Sequence, residues 1–111
     1  MPEHRLTALQ LQTVRGVLAP YASVIERACL FGSRATGTAR PNSDIDLVLY
    51  GPLSETVVSR IWTLFDESSL AVKVDVIGYD LIDNPALKSH IDAAGQPLFT
   101  QADLLSVSGR V

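Results

Sequence analysis

Residues 30–49, Leu-Phe-Gly-Ser-Arg-Ala-Thr-Gly-Thr-Ala-Arg-Pro-Asn-Ser-Asp-Ile-Asp-Leu-Val-Leu, constrain the fold of this chain more than any other stretch. They read as the end of a strand, a tight glycine turn into a short helix, a polar loop, and a second strand that opens with two carboxylates. Residues two apart on a strand share a face and sit ~7 Å apart. Asp44 and Asp46 are therefore expected on one side, with Ile45 on the other. An apolar run follows at 47–50, and no Lys or Arg lies within the strand to neutralise the acids. Unpaired carboxylates at the mouth of an apolar strand repel one another and are costly to desolvate. A shared divalent cation removes that cost, and hard carboxylate oxygens suit magnesium, which is often held by one or two of them plus substrate phosphates. The plainer alternative is a turn at 42–44 with Asp46 solvated, and Asp-x-Asp alone does not decide between the two.

The upstream half of the stretch adds a second element. Gly32 and Ser33 follow an expected strand at 27–31 and precede residues that can start a helix. Glycine at such a corner lets backbone approach a ligand closely, and the first helical N–H groups with the Ser33 hydroxyl can receive phosphate oxygens. Ser33 could equally be a plain helix cap. Arg34 can reach a triphosphate or pair with a carboxylate to brace the turn, and bracing is the favoured reading. Gly37 closes the helical turn, and residues 38–43, with Arg40, Pro41 and Asn42, form a loop that returns the chain to the acids.

The remaining chain reads as alternating helices and strands. Thr7 is placed to cap a first helix reaching about residue 18, with Leu11, Val14, Leu18 and Tyr21 on one stripe and Pro20 at its end. Gly51-Pro52 stops the second strand. Ser54 caps a second long helix, with Leu53 and Val58 as the apolar staple on either side; Val57, Val58, Ile61, Trp62, Leu64 and Phe65 are read as core. Asp66 and Glu67 face water. A third strand at 72–77 carries Asp75 opposite to Val74 and Val76, and Lys73 shares the Asp75 face, either at the edge of the site or, the favoured reading, solvated at the strand start. Asn84-Pro85 opens a last helix by capping, which ends at Gly95. Leu98-Phe99 form an edge strand or packed extension, and the tail after Thr100 either forms a helix at 103–105 or frays. His90 has no partner visible in sequence.

At 111 residues the chain is expected to be one domain, 1–111, and with 47% hydrophobic residues it has material for a core. The net charge of −3 and nine scattered Lys and Arg residues provide no basic run. Nucleic-acid binding normally leaves such an electrostatic footprint, so a small nucleotide held through metal is preferred to a polymer. The lone Cys29 cannot form an internal disulfide and is read as a buried small hydrophobe. Two histidines, His4 and His90, make no zinc spacing. No apolar run reaches membrane-spanning length, and the N-terminus lacks a signal-peptide core, so a cytoplasmic location is expected.

Gly32-Ser33, ten intervening residues and Asp44-x-Asp46 together resemble the signature of the nucleotidyltransferase superfamily that includes DNA polymerase beta. Asp75 supplies the family's third carboxylate on a later strand, and the Ile91, Gly95, Leu98, Phe99 pattern resembles the minimal branch, the MNT proteins found as antitoxins beside HEPN-domain toxins. The resemblance covers roughly residues 6–99. It implies an α/β fold, a small mixed sheet with helices packed against it, and two magnesium ions held by Asp44, Asp46 and Asp75. It implies ATP as substrate at Gly32, Ser33 and Arg34, transfer of AMP to a tyrosine of a HEPN toxin, and release of pyrophosphate. Two rival readings remain: an antitoxin acting by contact alone, and a subunit modifying a small molecule. The absence of Gly-Lys-Ser or Gly-Lys-Thr after the glycine turn argues against a P-loop enzyme.

Overall fold

The structure is a computed structural model describing residues 6–37, 40 and 43–108, with Ser33, Thr36, Val107 and Ser108 described by backbone alone. Helix α1 spans Ala8–Leu18 and is opened by a capping box in which Thr7 and Gln10 each bond the other's backbone N–H at 3.0 Å. The chain does not leave helical conformation at Pro20, as the sequence suggests, but tightens into a 3-10 helix over Ala19–Val24. Proline is tolerated there because its missing N–H falls in the first turn, where no intrahelical acceptor is needed.

Strand β1, Arg27–Phe31, leads through Gly32 into the one-turn helix α2, Ser33–Thr36. Strand β2, Ile45–Tyr50, returns antiparallel to β1, so that Phe31 lies opposite Asp46 and Arg27 opposite Tyr50. Helix α3, Glu55–Asp66, capped by Ser54, crosses to β3, Val74–Gly78, which pairs parallel with β2. Asn84 and Pro85 start α4, Pro85–Ala94, and β4, Gln96–Thr100, then pairs antiparallel with the other side of β1. Among the described residues the sheet is four-stranded and mixed, in the order β3-β2-β1-β4.

Strand alternation divides the core between the two faces of the sheet. Ala28, Leu30, Ile45, Leu47, Leu49, Val74 and Val76 face the larger cluster, under α1 and α3. Cys29 and Val48 face the smaller one, with Ile91 of α4. Cys29 is the buried hydrophobe expected, and burial pushes its thiol pKa up against the opposing charge of Arg27. A register shift at Ala28/Cys29 skips Leu98, so that Leu98 and Phe99, although consecutive, both pack on the larger cluster.

The tail is a helix, α5, Gln101–Ser108, and not a frayed end. Thr100 and Asp103 bond each other's backbone N–H, at 3.1 and 2.9 Å, and Leu104 is fully buried. Trp62 departs from the core role expected: it is 37% exposed, and its indole N–H donates to the Val76 carbonyl at 3.1 Å. That carbonyl belongs to an edge strand, where unpaired backbone needs a partner. Among the described residues no helix is long and apolar enough to cross a membrane.

Candidate active site

The acids meet where β1 ends and β2 and β3 begin. Parallel pairing sets Asp46 directly beside Asp75. Their side chains project from the face opposite to Ile45, Leu47, Val74 and Val76, which are sunk in the larger core. Asp44 precedes β2 and is exposed, rather than being the first residue of the strand. The ladder is extended at its mouth by the Ile45 N–H, which donates to the Lys73 carbonyl at 2.8 Å.

Burial, the charge of Asp75, a hydrogen bond with Asp75 and the charge of Asp44 all raise the Asp46 pKa, and Lys73 opposes them. With a second carboxylate beside it in the ladder, Asp46 holds its proton more readily than an isolated Asp. A divalent cation can take over that neutralising role. Among the described residues, however, no three His, Cys, Asp or Glu side chains stand arranged as a ligand set for a metal ion. Asp46 and Asp75 are register neighbours, while Asp44 contributes charge. All are hard oxygen donors, so the chemistry of the set fits magnesium.

Gly32 is fitted to this pair. Its φ is +73°, a left-handed conformation that glycine adopts without penalty. A Cβ built there would collide with Asp46 Oδ2 and lie 3.3 Å from Cγ. The turn therefore packs its bare backbone against the carboxylate. Ser33 lies in the first position of α2, and its hydroxyl, like residues 38, 39, 41 and 42 of the loop, is outside the described part.

Arg34 is the buried polar residue of this region, 3% exposed. Its guanidinium donates to the Ser43 carbonyl at 2.7 Å and the Asp44 carbonyl at 3.3 Å. Burial lowers its pKa, and the charge of Asp44 opposes the shift. These bonds tie α2 to the loop that delivers Asp44, through backbone carbonyls rather than through the carboxylate pairing suggested by the sequence. Arg40 and Ser43 close that loop with bonds of 2.8 and 3.0 Å.

Lys73 precedes β3 with its side chain 60% exposed, and it also reaches the edge of the site. It places Nζ 3.6 Å from Asp75 Oδ1 and 5.5 Å from the centre of the Trp62 ring. Two-residue spacing put Lys73 and Asp75 on one face, and this was the available signal. The indole could not be anticipated, because Trp62 reaches the strand edge from α3.

A four-stranded mixed sheet with a glycine turn against paired aspartates defines a nucleotidyltransferase-type domain. Residues 12–104 match the family described as polymerase beta, nucleotidyltransferase, and the chain belongs to that family. Similar solved structures include a toxin-antitoxin crystallised with AMP-PNP, at TM-score 0.66 and 22% identity over 89% of this chain and 86% of that one. The toxin-antitoxin MntA-HepT is similar at TM-score 0.63 and 17% identity, over 93% and 87%. At these identities the likeness is one of fold. No curated protein sequence matches this chain.

Proposed function

We propose that this chain is a metal-dependent nucleotidyltransferase of the minimal branch that transfers AMP from ATP to a tyrosine of a HEPN-domain toxin and so acts as its antitoxin. The observation that carries the reading is the register of Asp46 with Asp75, with Gly32 packed against the Asp46 carboxylate. The crystal structures of similar fold, a toxin-antitoxin with AMP-PNP and MntA-HepT, support nucleotide and toxin as the two partners. A cytoplasmic setting goes with that partnership.

Asp44 and Asp46, with Asp75, would hold the magnesium ions, two on this reading. Bound magnesium supplies charge neutralisation at the phosphates and a lowered pKa for the attacking hydroxyl. The Gly32-Ser33 turn offers phosphate a close approach beside the acids. Arg34 keeps the Asp44 backbone in place from its buried position. In the reaction the acceptor oxygen bonds to the α-phosphorus, the bond to pyrophosphate breaks, and the acceptor proton leaves to Asp75 or to solvent.

Intact-protein mass spectrometry of the partner toxin, incubated with this chain, ATP and magnesium, tests the reading beside an assay of toxin activity. A covalent AMP adduct that survives denaturing separation, and is lost with Asp44→Asn, is the expected result. Neutralisation of the toxin without an adduct from any nucleotide would make the chain a contact inhibitor. An adduct on an added small molecule alone would change the acceptor class.

A further inference from the structure

Lys73 occupies an unusual position between two groups. On one side is Asp75, at 3.6 Å; on the other is the Trp62 ring, at 5.5 Å from its centre. The ring is not free to follow the ammonium, because its N–H is tied to the Val76 carbonyl, one residue beyond Asp75. The indole, reaching over from α3, is thus a reference tied to the strand that carries Asp75. The lysine is the mobile member, with its side chain 60% exposed against 31% for Asp75. Exposed ion pairs of this kind are weak, because solvent screens them and two side chains lose freedom.

Resting on the metal-dependent reading above, we propose that Lys73 is a positioning residue, a built-in counter-cation that holds Asp75 until a divalent ion displaces its ammonium, the exchange being reported by Trp62. The ion carries two charges and is attracted by Asp46, Asp75 and Asp44 together, whereas the ammonium carries one, paired with Asp75 and felt more weakly by Asp46. Exchange therefore runs toward the metal whenever the ion is abundant. Lys73 thereby lowers metal affinity and protects the acids from mutual repulsion while no ion is bound.

Manganese binding, counted from the electron paramagnetic resonance of the free ion, tests this on the original chain and on Lys73→Met, Lys73→Arg and Lys88→Met. Removing a competing surface charge of this strength should tighten binding by about two- to fivefold in Lys73→Met. Lys73→Arg should bind as the original does. Lys88→Met, which removes one charge over the Tyr79 ring, should change affinity far less. Magnesium, which is diamagnetic, should shift the emission of Trp62, the sole tryptophan, in the original chain and not in Lys73→Met. Equal affinities across the four proteins, or an emission change that persists in Lys73→Met, would overturn the exchange and leave the metal site standing. Failure of all four to bind metal would overturn the metal-dependent reading together with the exchange.

Discussion

Replacing Gly32 by alanine tests the fit between the turn and the acid pair. Two separate costs are expected. The first is the backbone: holding an L-residue in the left-handed region costs about 1–2 kcal/mol, and Gly32 sits at φ +73°. The second is the overlap between the new methyl and Asp46 Oδ2. That oxygen ends a short side chain, which relieves the overlap by rotating, at about 0.5–1.5 kcal/mol for leaving its rotamer well. In a domain of this size each kcal/mol lowers the melting temperature by about 4–8 °C. Gly32→Ala should therefore melt roughly 6–28 °C lower. In an Asp46→Ala background only the backbone term remains, because the Asp46 Cβ would lie at ordinary contact distance, 3.6 Å. The cycle should then show a coupling near the rotamer cost, about 0.5–1.5 kcal/mol. Rotation away from Asp75 also relieves repulsion, so the cycle is repeated with Asp75→Asn, where that opposing gain is smaller. Denaturant unfolding gives the free energies, and manganese binding gives the state of the site. An equal cost in both Asp46 backgrounds, with metal binding unchanged, would refute the claim that the turn positions this carboxylate.

Substitutions at two positions, Asp46 and Arg34, probe the charged groups further. With its folded pKa raised, Asp46 binds more protons in the native than in the unfolded state between the ordinary carboxylate value and the raised one, so stability should fall as pH rises through that window. Asp46→Asn should remove this slope and be the more stable protein at neutral pH; urea titrations at stepped pH, with a variant profile parallel to the original, would contradict it. Arg34→Met should leave the Ser43 and Asp44 carbonyls without their donor, at about 1–3 kcal/mol. Arg34→Lys should not rescue it, because a point-charge ammonium lacks the planar fork of the guanidinium. Melting unchanged by both Arg34 variants would remove the bracing role.

The parts of this fold that were legible in sequence are those set locally. Thr7, Ser54 and Asn84 announce helix starts because capping needs only neighbours along the chain. The two-residue period placed Ile45, Leu47 and Leu49 on one side and left Asp46 for the other. What was not legible depends on strands and helices meeting. The third strand begins at Val74 rather than at 72 because β2 pairing starts there. Trp62 reads as core by helical period, yet it lies at the point where α3 overhangs a sheet edge. Leu104 sits in a tail with little periodicity, and only its burial shows that α5 belongs to the core. At the site, Asp44, Asp46 and Asp75 could be nominated from spacing. Their unequal places could not: Asp44 is exposed, Asp46 lies beside Asp75 in the ladder, and Asp75 is paired with a lysine.

The connections of the sheet also set a timetable. The β1–β2 hairpin joins near neighbours in the chain, whereas β3 reaches β2 only after the α3 crossover. Short closures cost less entropy and form sooner than long ones. A chain emerging from synthesis can therefore seat Gly32 against Asp46 before Asp75 has docked. The two like charges then meet in the later step, where their repulsion acts on the lifetime of the finished fold more than on its nucleus. Asp75→Asn should accordingly slow unfolding while leaving the folding rate nearly unaltered. Faster folding with unchanged unfolding in a stopped-flow chevron would place the docking of β3 in the nucleus instead.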